Sequence, residues 1–340
     1  MQKNFSTKEL GFTAPQNEQI EMAMTYEFTS IDLDINEFGR QVQSRGMETA
    51  RRLIDSAKIS AKVGEAEFGI GTFRLPFAIN EDDGLYQSDM KRLPGLARAA
   101  QEIGALRCVV KVEPFSDTLS MQENFELHRS RLAEIAAALG ECEIKLGVEF
   151  VAPASARQDK KFEFIHTFDE LTSLVDGIAN VGVVIDAWHL YVTGTGPEVL
   201  QKVAVDNIVC VRLADAPADI AAADLTLQDR MLPAESNSVD CAAFVKQLDT
   251  MGYQGPVTPM CDGNNFRGER RDLVAEKAGL RMKKVWIAAG LAPPELESLY
   301  AVPAQTADDA AQDAEGDAAP DASAEENVSA EASQTEAASA

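Results

Sequence analysis

The chain is short of the residues that would commit it to several large classes of protein. Of its 340 residues only 6% are aromatic, three are histidine and two are tryptophan. No stretch reaches the roughly 18 consecutive apolar residues of a membrane span, and the opening MQKNFSTKELGFTAPQ has no apolar core of a secretory signal. The five cysteines, Cys108, Cys142, Cys210, Cys241 and Cys261, form no C-x-x-C pair. They read as reduced thiols, so a soluble cytoplasmic protein with no membrane partner is expected. Positive charge is also scarce: 31 Lys and Arg against 55 Asp and Glu give a net charge of −24. Phosphate-backbone recognition needs clustered cations, so nucleic acid is set aside as a partner.

Much of the acidity is local. Residues 301–340 hold ten Asp or Glu, no Lys or Arg and no aromatic side chain. A segment this poor in apolar surface cannot offset its ordering entropy and is expected to be a disordered Ala/Asp/Glu/Ser-rich tail. Residues 1–292 are left as the folded domain.

Within that domain short β-branched runs alternate with longer amphipathic ones, the pattern of β-α units around a parallel sheet. The strand candidates are 4–10, 30–35, 57–63, 106–113, 144–150, 181–186, 207–214 and 256–261. Helical stretches fall between them, among them 121–140, 169–180 (Thr167 as N-cap, Glu170 three residues on) and 240–252, which Gly252 ends. Eight strands over this length predict an α/β fold of the (β/α)8 TIM-barrel type. A doubly wound open sheet is the alternative, weakened because no G-x-G-x-x-G follows the first strand; the short GIG at 69–71 carries no weight.

In a TIM barrel the strands are buried on both faces and chemistry collects at their C-terminal ends. The stretch VGVVIDAWHLYVTG (181–194) fits that placement, an apolar run that meets Asp186 at its exit, then Trp188 and His189. Period-two alternation places Lys111 and Glu113 of the fourth strand on the inward face, with Lys145 and Glu149 of the fifth. Asp186, Arg212 and Met260 followed by Asp262 continue the set on strands six to eight. So many ionisable groups in one interior must pair with one another or with a ligand. The segment GTGPEVL (194–200) offers backbone N–H groups at a helix start, either a phosphate cradle or ordinary capping.

The second half of the domain carries a resemblance. The blocks LGVEFV, VGVVIDAWHLYVTG, NIVCVRLADAP and DRMLPAESNSVDCAAFVKQLDTMGYQGPVTPM follow the order and spacing of the xylose-isomerase-like barrel superfamily. That superfamily holds sugar phosphate isomerases and epimerases related to endonuclease-IV-type proteins, and the likeness covers roughly residues 5–290. It implies a Glu at the end of strand five, Asp-x-x-His after strand six, a His on strand seven and a Glu ending strand eight. Residues from these four strands hold one divalent metal, and the His after strand six contacts substrate. Glu149, Asp186 and His189 match; Arg212 stands where the His would be and Met260 where the second Glu would be. The loop read as LPGEG in the family is LPAES here, keeping Glu235, and Arg230 matches an arginine frequent just before it.

A guanidinium about 6 Å from a dication, at an effective dielectric near 20, repels it by roughly 5 kcal/mol, or three to four decades of affinity. The sequence therefore predicts a degenerate metal site: no cofactor, or a weakly bound Mn, Mg or Zn on Glu149 and Asp186, with Asp262 as a substitute carboxylate. Arg212 is expected to pair with Glu149 and Asp186. The resemblance implies an isomerase or epimerase of a small sugar or sugar acid that abstracts a proton beside a carbonyl. Glu149 and Asp186 are the catalytic carboxylates, Arg212 or Lys111 the cation that replaces the metal. His189, Trp188, Glu113, Arg230, Glu235 and Asp262 are the candidate substrate contacts, with packing as the other role of Trp188. The alternative is a non-catalytic polyol-binding barrel. Oligomeric state is not encoded legibly.

Overall fold

The computed structural model describes residues 1–63 and 68–293. Eight strands run parallel around a closed ring: β1 (Gln2–Phe5), β2 (Ser30–Leu33), β3 (Gly69–Arg74), β4 (Arg107–Lys111), β5 (Lys145–Glu149), β6 (Val181–Asp186), β7 (Ile208–Leu213) and β8 (Pro256–Pro259). Neighbours in sequence are neighbours in the ring, and β1 closes it by pairing with both β2 and β8. The expected (β/α)8 barrel is what forms, and closure removes the open doubly wound sheet as an alternative. The predicted tail at 301–340 lies outside the described residues.

Helices follow the strands on the outside: α1 (Gln16–Thr25), α2 (Ile35–Arg45), α3 (Met47–Val63), α4 (Asp83–Glu102), α5 (Met121–Gly140), α6 (Phe168–Val175), α7 (Ala187–Val192), α8 (Cys241–Thr250) and α9 (Arg271–Ala288). Their starts are written locally. Thr167 and Glu170 form the expected capping box of α6, and Ser120 with Glu123 forms another at α5. The α6 helix is shorter than the predicted 169–180, ending at Asp176 before Gly177 at φ 72°. All five cysteines are free and buried.

One strand is misplaced by the sequence reading. Residues 57–63 are the last turns of α3, whose Ala50, Ile54 and Ala57 are buried at helical spacing. The true third strand is GIGTFR at 69–74, whose glycines depress its strand signal. A Cβ on Gly71 would lie 2.1 Å from Asn4 Oδ1, so the glycine is needed by its neighbour. Asn4 is fully buried, donating to Asp32 at 2.8 Å and Thr258 at 2.9 Å and accepting from Ser30 at 2.9 Å. The barrel thus trades a side chain on β3 for a satisfied polar cluster between β1, β2 and β8.

A second irregularity aims the chemistry. The pairing of β6 with β7 shifts register, Val183 facing Ile208 but Val184 facing Cys210, so Val209 is the extra residue of a β-bulge. Val209 and Cys210 then both join Val109 and Val184 in the barrel interior, while Ile208 and Val211 belong to the core beneath the helices. Because the bulge inverts the alternation, Arg212 faces inward beside Asp186.

Candidate functional site

The exit of β6 is shaped first by local capping. Asp186 is the N-cap of α7, its Oδ1 accepting the His189 backbone N–H at 3.0 Å. The cap turns the chain at the strand exit and carries the His189 ring back over the barrel mouth. There it meets Glu149 from β5: one ligand atom from each of Glu149, Asp186 and His189 lies within 4.8 Å of the others, all three residues buried.

Each carboxylate already has a guanidinium. Arg212 Nη1 donates to Glu149 Oε2, and its Nη2 lies 3.2 Å from Glu9 Oε1. Arg74 at the end of β3 donates to the same Glu9 oxygen. Arg230 Nη2 stands 3.2 Å from Asp186 Oδ2 and 2.6 Å from His189 Nε2, and its Nη1 approaches Met260 Sδ at 2.7 Å. The expected pairing of Arg212 with Glu149 therefore forms, but Asp186 is taken by Arg230 instead. The result is a chain of alternating charge, Arg74, Glu9, Arg212, Glu149, across the mouth. Burial pushes the Glu9 carboxyl up, yet the Arg212 and Arg74 guanidiniums outweigh it and hold it below the ordinary carboxylate value.

His189 is fully buried, and burial with the Arg230 charge beside it holds the imidazole well below its usual pKa. It is neutral, and a neutral ring has one lone-pair nitrogen. The Ala152 backbone N–H points at Nδ1 from 3.1 Å while Arg230 points at Nε2, so two donors compete for that lone pair. Trp188 lies 0% exposed beneath Arg230, whose guanidinium carbon is 4.7 Å from its ring. It is a platform for the arginine and not for a sugar. Its Nε1 and Arg230 Nε are buried with no acceptor.

The other predicted contacts lie apart. Lys111 and Glu113 pair with each other at 3.1 Å and are about 40% exposed. Lys111, Arg74 and Glu149 line one cavity of about 400 Å³ above β3 to β5. Glu235 turns away: its carboxylate accepts the Leu232 N–H at 3.1 Å and faces Arg281 of α9 at 3.4 Å. It holds its own loop with Asp215, which accepts the backbone N–H groups of Glu235, Ser236 and Asn237. Asp262 caps the short helix at 263–266 and does not join the carboxylates, because β8 ends at Pro259 and the strand alternation stops there. The Gly196 N–H of the suggested phosphate cradle is taken by Glu198 at 2.9 Å.

Two members of the cluster escaped the sequence reading. Arg74 was hidden with the missed strand, and Glu9 was assigned to a first strand running to residue 10, whereas β1 stops at Phe5. A single acid in STKEL has no periodic signal; only the closeness of the β1 and β8 loops, where Cys261 N donates to Glu9 O at 3.0 Å, reveals it.

A model of the xylose isomerase-like TIM barrel family matches residues 5–282. The chain belongs to that family. Among xylose isomerase-like proteins, an inosose isomerase of Halalkalibacterium halodurans is 24% identical over 212 residues, 60% of this chain and 68% of the relative. The solved xylose isomerase domain protein of Alicyclobacillus acidocaldarius superposes with a TM-score of 0.74 at 18% identity, covering 85% of this chain and 99% of that one. The D-psicose 3-epimerase of Clostridium cellulolyticum H10, solved with D-tagatose, gives 0.63 at 13% identity, covering 85% and 99%. At these identities the structural likeness speaks for the xylose isomerase-like fold alone. No helix among the described residues is long and apolar enough to cross a membrane.

Proposed function

We propose that this barrel is an isomerase or epimerase of a small polyol, inosose or sugar acid that works without a divalent ion. The sugar-directed part of the reading is supported by the names of its relatives, inosose isomerase and D-psicose 3-epimerase. The observation that carries the mechanism is the single cavity shared by Glu149, Lys111 and Arg74.

The donors of the inherited site do not suit a dication. Three ligand atoms converge, but a guanidinium sits on each carboxylate and a second ligand position is the soft sulfur of Met260. Arginine keeps its proton, so an ion there would face two fixed positive charges. Lys111 and Arg74, which line one cavity with Glu149, supply what an ion would otherwise provide, positive charge beside developing negative charge. Glu149, oriented by Arg212, takes the proton from the carbon next to the substrate carbonyl. Lys111 and Arg74 face the enolate oxygen. Return of the proton from Glu149 to the neighbouring carbon, with the hydroxyl proton passed to the former carbonyl oxygen, gives isomerisation. A proton delivered by water to the opposite face of the original carbon, Glu149 releasing its own to solvent, gives epimerisation.

The test is solvent deuterium uptake, followed by NMR, in inososes, ketoses and sugar acids. Exchange that survives chelator and falls by about 10²-fold or more in Glu149→Gln supports the reading. Exchange untouched by that change, or abolished by chelator alone, contradicts it. One feature favours a second reading, a polyol-binding barrel without turnover: the Arg230 side chain stands between Asp186 and His189, where a substrate or ion would otherwise reach both. Tight binding of the same compounds with no exchange would select it.

A further inference from the structure

A second cavity among the described residues lies away from the Glu149, Asp186 and His189 cluster. It lies on the opposite side of the mouth, about 740 Å³ between the ends of β1 to β3 and helices α1 to α3. That volume lies within the range of small-molecule sites and is nearly twice the space above Glu149.

Its polar groups are arranged unevenly. At the floor Asp32 Oδ1 accepts from Asn4, the Thr72 N–H and the Thr72 hydroxyl, at 2.8, 2.9 and 2.8 Å. Ser6 hydrogen-bonds the same carboxylate, so Asp32 is held firmly by the scaffold from several sides. At the rim stand Arg45 of α2 and Arg52 of α3. Neither has a carboxylate or other acceptor among the described residues, in a chain with an excess of 24 acids over bases. On the wall, Gln16 Nε2 is a buried donor with no partner. Two guanidiniums without a partner among the described residues and an orphan amide donor on one lining describe a ligand with an acid group and hydroxyl or ring oxygens.

We propose that this cavity is a binding site for an anionic polyol, a sugar carrying a carboxylate or a phosphate. Arg45 and Arg52 take the acid group as charge-assisted donors. Gln16 Nε2, on the lining without a partner, donates to a ring or hydroxyl oxygen. Arg74 lines this cavity as well as the smaller one above Glu149, so a ligand here lies next to the proposed reacting centre. The polyol part rests on the function proposed above; the acid part rests on Arg45 and Arg52 alone.

Isothermal titration with glucuronate, glucose 6-phosphate and neutral methyl glucoside tests it, in the full chain, in the Arg45→Ala/Arg52→Ala double variant and in Glu149→Gln. Both arginines are exposed on helices, so the double variant should fold with unchanged Tm. The expected result is binding of at least one acid about tenfold or more tighter than the neutral glycoside, lost by a similar factor in the double variant and kept in Glu149→Gln. Glucuronate alone would identify a carboxylate site, glucose 6-phosphate alone a phosphate site, and both a general anion site. No acid binding, equal binding of the neutral glycoside, or undiminished binding by the double variant would overturn the proposal. Loss of deuterium exchange in Glu149→Gln reports on the function separately, so the two readings fail independently.

Discussion

On the β5 to β8 side of the mouth, Glu149, Asp186 and His189 converge with Arg212 and Arg230, every one of them buried. On the β1 to β3 side, Arg45, Arg52 and Asp32 border an open cavity of about 740 Å³, and the two arginines have no partner among the described residues. One side pairs its charges with one another; on the other, Arg45 and Arg52 have no partner among the described residues. Glu9 joins the two, taking Arg74 from β3 and Arg212 from β7 on one carboxylate oxygen. The difference teaches that a barrel mouth can keep the residues of an inherited site as its rigid part while free charge and space lie elsewhere on the rim.

The largest expected effect breaks the closed side. Arg212→Met leaves Glu9 and Glu149 buried without their shared partner and should destabilise the fold by about 3–5 kcal/mol in urea unfolding. A loss below about 1 kcal/mol would mean that these charges are not desolvated in the way their burial implies. Next comes acid. The Glu9 carboxyl is held below its ordinary value when folded, so its contribution is present above the unfolded carboxylate pKa and is lost as pH falls through the folded one. Glu9→Gln should flatten that acid limb of stability. His128, away from both sides on α5, is lowered by burial from 6.5 to about 4. Its share, about 3 kcal/mol, is full above pH 6.5 and lost as pH falls toward 4. His128→Leu should remove the part of the pH dependence between those values and leave the Glu9 part.

What the sequence could and could not disclose follows the same division. Asp186 and His189 were legible because a buried apolar run that ends on a carboxylate, with Asp-x-x-His at its exit, is a local pattern. Glu149 and Lys111 were legible because strand alternation held up to them, both lying at the matched ends of β4 and β5. Arg212 was placed inward for a reason the sequence does not contain, since the bulge at Val209 inverts the alternation. The β1 to β3 side was largely illegible. Gly71 looks like a strand breaker until Asn4 is seen to occupy the space of its absent side chain, and losing β3 loses Arg74. Asp262 and Glu235 failed for the converse reason: they lie in loops past strand ends, where alternation has no force, and loop hydrogen bonds took them.

Smaller effects sharpen the contrast. Thr167→Ala removes one half of the α6 capping box and should cost about 1 kcal/mol, a scaffold effect with no change in any ligand titration. Arg45→Ala/Arg52→Ala should change stability by less than about 0.5 kcal/mol, because exposed, unpaired side chains contribute to binding and not to folding. A large loss of stability there would place those arginines in the core economy of the closed side.

The central claim is that guanidiniums occupy the place of an ion among Glu149, Asp186 and His189. Metal analysis by plasma mass spectrometry, on protein equilibrated with Mn, Zn, Co and Mg and then desalted, tests it most directly. The account predicts far less than one equivalent of any of them in the native chain. A stoichiometric ion that is lost in Asp186→Asn would contradict it.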